Sequence, residues 1–203
     1  MPRYSEKQRA AMEALMRDEV YRTAVEILTG EGLQALTIDR LAKAIGVARG
    51  TLYNYFADRD AVLTYVEERA AKPVFDELEQ LAAGEETAEE KLRGCALAGF
   101  RFVESSRPLI YTLYRIKQGE GTLREAQLRR RDRLVALLTT ILEQGMAQGE
   151  FRRLPLPDAA IVFSSVIAGH IEYMADHDVV RPAEEIASTL MEVILPAFRG
   201  LPG

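Results

Sequence analysis

The sequence contains little of the material from which active sites and membrane segments are made. Its 203 residues include one cysteine, Cys95, two histidines, His170 and His177, and no tryptophan. A single cysteine excludes an internal disulfide framework and a thiolate zinc cluster, and it is typical of a cytoplasmic protein. The two histidines would lie about 10 Å apart along one predicted helix, too far to bind one metal ion. We therefore expect no metal and no cofactor, and a cytoplasmic location.

Long apolar runs and catalytic motifs are also missing. The longest stretch without Lys, Arg, Asp or Glu spans residues 159–171, far short of the ~20 apolar residues that cross a bilayer. We therefore expect no membrane partner. No nucleophile elbow, phosphate-binding loop or pair of catalytic carboxylates is visible, and Cys95 is interpreted as a small buried hydrophobic residue. The sequence predicts that the protein is not an enzyme.

Charge is distributed unevenly along the chain. The net charge is −5, from 26 basic and 31 acidic residues. Residues 1–60 carry nine of each sign, so the whole acidic excess lies in the remainder. An acidic body joined to a neutral head keeps non-specific binding low and permits DNA binding by the head alone. The basic run at residues 129–133 is interpreted as the solvated face of a long helix, because acidic residues are interspersed with it.

Almost every segment has the apolar periodicity of an α-helix, and alternating β-branched runs are absent. We predict an all-α fold of about nine helices, with a three-helix head at residues 1–60 and a helical body at residues 61–203. Pro73 falls inside a predicted helix and should kink it. Residues suited to cap the helix that follows them are Thr37, Asp58, Thr87 and Asp158.

Residues 36–63 read LTIDRLAKAIGVARGTLYNYFADRDAVL and have the pattern of a helix-turn-helix. One short helix would follow Thr37, and a second would run from Arg49 to about Tyr55. Gly46 between them suits the positive φ of a helix end. The second helix of such a pair fits the major groove of DNA. The segment therefore predicts a DNA-binding head.

This segment resembles the N-terminal domain of the TetR family of bacterial transcriptional regulators. The resemblance covers about residues 17–63, and the order and spacing of the family pattern hold throughout. Ala48 stands where the family usually has Ser, and Arg59 stands where it usually has Lys. The matching residues are Arg17, Ile27, Leu28, Gly32, Thr37, Leu41, Ala42, Ala44 to Ala48, Gly50 to Tyr53, Tyr55, Phe56, Arg59 and Leu63.

The resemblance implies which residues contact DNA. Arg49 and Asn54 are expected to read base edges, because arginine pairs with guanine and asparagine with adenine. Gly50 lets the backbone approach a phosphate, and a backbone amide at Ala48 can replace the missing serine hydroxyl. The residues expected to contact phosphates are Arg17, Thr37, Thr51, Tyr53 and Arg59.

In the body, the resemblance implies an effector pocket and a dimer interface formed by the last two helices. Aromatic and methionine side chains with few charges suit an apolar pocket, although core packing explains each of them individually. The pocket candidates are Phe100, Phe102, Tyr111, Tyr114, Met146, His170, Tyr173 and Met174. The interface candidates are Ala159, Phe163, Val166, Ile167, Ile171, Ile186, Leu190, Val193 and Ile194.

Together these features predict a homodimeric transcriptional regulator. We expect it to be a repressor that binds a palindromic operator in double-stranded DNA. A small apolar or amphipathic molecule would release it by acting through the helix that contains Pro73. Two other classes stay open from the sequence. One is a helical protein-interaction module that has lost DNA binding, and the other is a small helical enzyme that uses the body pocket.

Overall fold

A computed structural model describes residues 5–115 and 122–200. Within these ranges the chain forms nine α-helices and one 3₁₀ turn, at Leu33–Ala35, and no strand. This confirms the predicted all-α fold. The helices are α1 Glu6–Gly30, α2 Ile38–Ile45, α3 Arg49–Tyr53, α4 Arg59–Ala83, α5 Ala88–Ser105, α6 Arg107–Arg115, α7 Thr122–Ala147, α8 Asp158–His177 and α9 Ala183–Arg199.

The described residues divide into two compact units. The first unit, called the head below, comprises residues up to Ala70 together with 122–126, and the second, the body, comprises residues 71–115 and 127–200. The functional division after residue 60 stays a prediction. No helix in the described part of the chain is both long and apolar enough to cross a membrane.

The head is held together by apolar side chains from α1 to α4 that recur at helical spacing. They share near-complete burial, which removes their surfaces from water and stabilises the packing of these short helices. Leu15 near the start of α1 shares this apolar spacing but is 69% exposed. The buried set includes Val20, Ala24, Ile27, Leu28, Ile38, Leu41, Leu52, Phe56, Val62, Leu63 and Val66.

Local caps fix where the head helices begin. The Thr37 hydroxyl accepts a hydrogen bond from the backbone N–H of Arg40 at 3.1 Å. The Asp58 carboxylate accepts one from the N–H of Ala61 at 2.8 Å. Each oxygen satisfies a first-turn amide that has no partner inside its own helix. These contacts confirm two of the predicted caps.

The body has one apolar core, to which α5, α7, α8 and α9 contribute side chains such as Phe100, Ile141, Phe163 and Ile186. Thr87 caps α5 in a capping box with Glu90, which confirms the third predicted cap.

The prediction that Asp158 caps α8 is wrong. Pro157 occupies the cap position, and no side chain makes a capping hydrogen bond there. Asp158 is the first helical residue instead. Its carboxylate still lies in the first turn, where negative charge interacts favourably with the helix dipole.

Candidate functional site

The turn between α2 and α3 gives the head its functional geometry. Gly46 ends α2 with φ +80°, a left-handed conformation that costs other residues about 1–2 kcal/mol. Its N–H donates to the carbonyl of Ala42 at 2.9 Å. Helix α3 then begins at Arg49 after only two intervening residues. A buried Leu52 holds this short helix against the head core.

The polar residues of α3 point away from that core. Arg49, Gly50 and Asn54 are exposed, Tyr53 is 44% exposed, and Thr51 is half-buried. Helix α3 is shorter than predicted, because it ends at Tyr53 and Asn54 forms its C-cap. A short helix anchored by one leucine with polar side chains outward has the arrangement that reads the major groove in helix-turn-helix proteins.

Arg49 is held by two neighbouring side chains. Its Nη2 donates to the hydroxyl of Tyr53 at 2.9 Å, and its Nη1 donates to a carboxylate oxygen of Asp39 at 3.2 Å. The Tyr53 hydroxyl, followed by the charge of Asp39, raises the pKa of Arg49 above its usual value. Sequence reasoning missed Asp39, because the contact depends on the angle between α2 and α3 and no spacing rule predicts it.

Arg17 and Arg59, both expected to contact phosphates, have intramolecular partners as well. The Arg17 guanidinium lies 5.2 Å from the ring centre of Phe56 and 5.6 Å from that of Tyr65. Arg59 lies near Asp60, with 3.6 Å between Nε and the carboxylate oxygen, and 42% of its side chain is exposed. Thr37 and Ala48 are exposed. The roles of these residues toward DNA stay predictions.

A cavity of about 240 Å³ opens in the body. Three of the eight predicted pocket residues line it, namely Phe100, Tyr111 and Met174. Its other lining residues are Val103, Glu104, Arg107, Pro108, Val180, Arg181 and Ile186. Sequence reasoning missed Arg107 and Arg181, although a charged residue bordering an aromatic stretch was a usable signal for a polar anchor.

The other five pocket candidates lie elsewhere. Phe102, Tyr114, Met146 and His170 are half-buried. His170 stands edge-on to Phe100 at 5.7 Å, and burial, followed by the charge of Arg181, lowers its pKa. Tyr173 is 57% exposed and stacks on His177.

The predicted interface residues divide into two groups. Val193 and Val166 are exposed, at 72% and 42%, and Ile167 is half-buried. The other six belong to the core of the body itself: Ala159, Phe163, Ile171, Ile186, Leu190 and Ile194.

The structure extends the exposed apolar face of α8 beyond the predicted interface residue Val166, adding Val162 and Tyr173, of which Tyr173 was predicted to line the pocket. Val162, Val166, Gly169 and Tyr173 are all exposed and follow helical spacing, and we call them the α8 stripe. Spacing alone would have grouped them, but it does not show which side of an apolar helix is covered by the chain's own core.

Cys95 is not placed to act as a nucleophile. Cys95 is buried, and burial, followed by the charge of Glu77, raises the pKa of its thiol to about 12. Such a thiol carries almost no thiolate at neutral pH. Among the described residues, no group of three or more His, Cys, Asp or Glu side chains is placed to hold a metal ion.

Two family models match the chain. One, described as bacterial regulatory proteins of the tetR family, matches residues 20–66, and one, described as a tetracyclin repressor-like C-terminal domain, matches residues 85–179. The first spans α2, α3 and the turn between them, and the second spans most of the residues that line the body cavity.

Individual relatives are regulators. The chain is 25% identical to a fatty acid metabolism regulator protein of Bacillus subtilis over 135 residues, 66% of this chain and 70% of the relative. It is 25% identical to the HTH-type transcriptional repressor KstR2 of Mycolicibacterium smegmatis over 141 residues, 68% of this chain and 69% of the relative.

The fold is shared with solved structures. The transcriptional regulator FadR from Bacillus subtilis, in complex with stearoyl-CoA, superposes with a TM-score of 0.77 at 21% identity, covering 88% of this chain and 97% of that one. With family models matched in both the head and the body and with regulators as its relatives, the chain belongs to the TetR family and is a DNA-binding transcriptional regulator.

Proposed function

We propose that the protein is a homodimeric repressor that binds a palindromic operator through α3 and leaves it when a small amphipathic molecule occupies the body cavity. The observation that carries the proposal is the orientation of α3, where Leu52 is fully buried while Arg49 and Asn54 face solvent. The naming of one relative as a repressor supports the direction of regulation. Because its partner is DNA, we place its action in the cytoplasm.

The proposed DNA contacts have two roles. Arg49 and Asn54 read base edges in the major groove, where guanine and adenine present distinct acceptor and donor patterns. Contacts from Thr37, Thr51 and Arg59 to phosphates would fix the position of α3 without reading sequence.

Dimerisation is proposed through the α8 stripe together with Val193 of α9. Apolar side chains exposed along one helix face gain free energy when a second copy covers them. A two-fold dimer places two α3 helices on half-sites about 34–36 Å apart, and this symmetry makes the operator palindromic.

The proposed effector has an apolar part and an acidic part. The aromatic rings of Phe100 and Tyr111 suit a hydrocarbon chain. Two arginines, Arg107 and Arg181, line the same cavity against one acid, Glu104, and this positive excess suits a carboxylate or phosphate. The fatty acid regulator among the relatives and the stearoyl-CoA complex of a protein with the same fold support this class. The cavity is smaller than the roughly 300–1,000 Å³ of typical ligand sites, so we propose that it widens on binding.

Release would follow from a shift between two states. Helix α4 supplies residues to both compact units and contains Pro73, so it is the element through which we propose that ligand binding acts on the head. The ligand shifts the population only by its differential affinity for the state that does not bind DNA.

The test is DNA binding by the full chain, measured by fluorescence anisotropy on duplex fragments from upstream of its own gene. We expect one fragment to bind much more tightly than random duplex, with affinity falling steeply as salt rises. Equal affinity for all fragments and for random duplex would overturn the proposal that the protein represses from an operator beside its own gene.

The effector is tested separately with decanoate and decanol as probes. We expect decanoate to raise Tm and release DNA, and Arg107→Ala to weaken both effects. Decanol has the same chain length but no acidic group. If decanol raised Tm and released DNA as well as decanoate does, and Arg107→Ala changed neither effect, the proposal of an acidic ligand would be contradicted.

A further inference from the structure

The base-reading candidate Arg49 is already oriented in the protein without DNA. Its guanidinium donates to Tyr53 through Nε and Nη2, at 3.3 and 2.9 Å, and to Asp39 through Nη1, at 3.2 Å. A carboxylate oxygen of Asp39 also lies 3.1 Å from Nε. Each Nη nitrogen carries two N–H groups, so Nη1 and Nη2 each keep one that these contacts do not use.

We infer that Asp39 is a positioning residue that sets the base preference of Arg49. The inference rests on the proposed function, because it assumes that α3 enters the major groove. It adds a residue of α2, outside the recognition helix, that determines which base the recognition helix prefers.

The fold itself fixes the distance between the two residues. Asp39 lies in the first turn of α2, and Arg49 is the first residue of α3. Gly46 sets the turn between the two helices, and buried Leu41 and Leu52 hold them against the same core. The carboxylate is therefore presented to Arg49 by a rigid element, which is the arrangement that preorganises a contact.

The N–H groups that Nη1 and Nη2 keep are available to a base in the major groove. Two donors side by side match guanine, which presents the two acceptors N7 and O6 in the major groove. Adenine presents one acceptor and one donor there, so a second N–H of Arg49 would face an N–H of the base. An arginine held by Asp39 and Tyr53 therefore prefers guanine, whereas a free arginine can turn toward a phosphate instead.

The charge of Asp39 acts in the same direction. A carboxylate near the DNA surface is repelled by phosphates, which lowers affinity for every sequence alike. Fixing Arg49 on a guanine offsets this cost only on the correct site. Asp39 thus increases the ratio of specific to non-specific affinity in two ways. It lowers affinity for every sequence, and it restores affinity only at the site where Arg49 contacts a guanine.

This role is separable from stability. The side chains of Arg49 and Asp39 are 59% and 64% exposed, and exposed ion pairs contribute little to folding. Asp39→Asn keeps the size of the side chain and removes its charge. The Asp39 carboxylate also lies in the first turn of α2, where negative charge is favoured. We therefore expect the variant to fold with a slightly lower Tm and to differ mainly in DNA binding.

The experiment selects binding sites from duplexes with about 30 randomised base pairs, roughly three helical turns, using the full chain. The wild type should select a two-fold motif with one strongly preferred guanine in each half-site. Asp39→Asn should lose that preference, with the ratio of selected to random affinity falling roughly tenfold. The control is Glu31→Gln, which removes one acid from another exposed pair of the head, with Arg40 at 2.6 Å, and it should keep the motif.

A double-mutant cycle shows whether Asp39 acts through Arg49. In an Arg49→Ala background, Asp39→Asn should change base preference no further, because the group that it positions is gone. Tyr53→Phe removes the other partner of the guanidinium and should weaken the same guanine preference.

The outcomes separate the two proposals. Failure of the wild type to select any motif overturns the proposed function itself. A wild type that selects a motif which Asp39→Asn retains overturns only the role of Asp39. Tighter binding of Asp39→Asn to the same motif with unchanged preference would also overturn it, because Asp39 would then mask Arg49 and not orient it.

Discussion

The guanidinium of Arg17 in α1 lies over the ring of Phe56, which precedes α4, with 5.2 Å between the guanidinium carbon and the ring centre. Phe56 is buried, and the Arg17 side chain is 36% exposed. A cation over an aromatic face contributes about 0.5–2 kcal/mol, depending on its exposure. Arg17 therefore joins two segments of the head, in addition to any contact that it makes with DNA.

Arg17→Met should separate these two roles. Methionine keeps the aliphatic packing and removes the cation, so we expect the free energy of unfolding to fall by about 1 kcal/mol. If Arg17 also contacts a phosphate, DNA affinity should fall alike for specific and random duplexes, with the salt slope reduced by about one. Unfolding in urea and anisotropy titrations measure the two effects, and unchanged urea stability would contradict the stacking role.

Gly46 and Gly50 form a matched pair of glycines in the helix-turn-helix. Gly46 has φ +80°, so Gly46→Ala should cost about 1–2 kcal/mol of stability. Gly50 lies within α3, and an added Cβ there meets no atom within 4 Å, so Gly50→Ala should not destabilise the protein. Its methyl group would lie on the DNA-facing surface and weaken DNA binding. Equal thermal stability of the two variants would contradict the proposal that the left-handed conformation at position 46 requires glycine.

Arg49 and Arg59 should differ in what they contribute to DNA binding. Arg49→Ala should reduce discrimination between bases by ~1–3 kcal/mol at one position of each half-site. Arg59→Ala should weaken binding to all DNA sequences alike. It should also reduce the salt dependence of the affinity, measured as the slope of log K against log salt concentration, by about one. Titrations of both variants on the selected motif and on random duplex provide the comparison. Parallel losses on the two duplexes for both variants would show that neither arginine reads a base.

How much the sequence predicts depends on whether a feature is local. The Thr37 cap and the turn at Gly46 were predicted because each depends on a few neighbouring residues. The sequence did not predict that Phe163 is buried while its neighbour Val162 is exposed. Helix α8 is apolar on nearly every side, so its spacing does not show which side the rest of the body covers. The contact between Asp39 and Arg49 depends on the angle between two helices, which no spacing within either helix specifies.

The exposed valines of the last two helices should control assembly. Val166→Glu and Val193→Glu place a charge where we propose that a second copy packs, and burying an unpaired charge is costly. We expect each variant to shift from dimer to monomer in sedimentation velocity and to lose operator affinity while keeping its helical signal. Leu15→Glu alters an apolar residue of the head that is 69% exposed and should leave the dimer intact. Dimers in all three variants would rule out this face.

His170 should make folding stability depend on pH. Burial and the charge of Arg181 lower its pKa in the folded protein, whereas in the unfolded chain the pKa of His170 is about 6.5. The unfolded state therefore binds the proton more readily, so stability is lost as pH falls below about 6.5 and the loss is complete below the lowered folded pKa. His170→Phe should flatten this part of the stability profile in urea unfolding between about pH 7.5 and 5.5. His177→Phe removes an exposed imidazole from the same helix as a control, and an identical flattening by both variants would contradict the role assigned to His170.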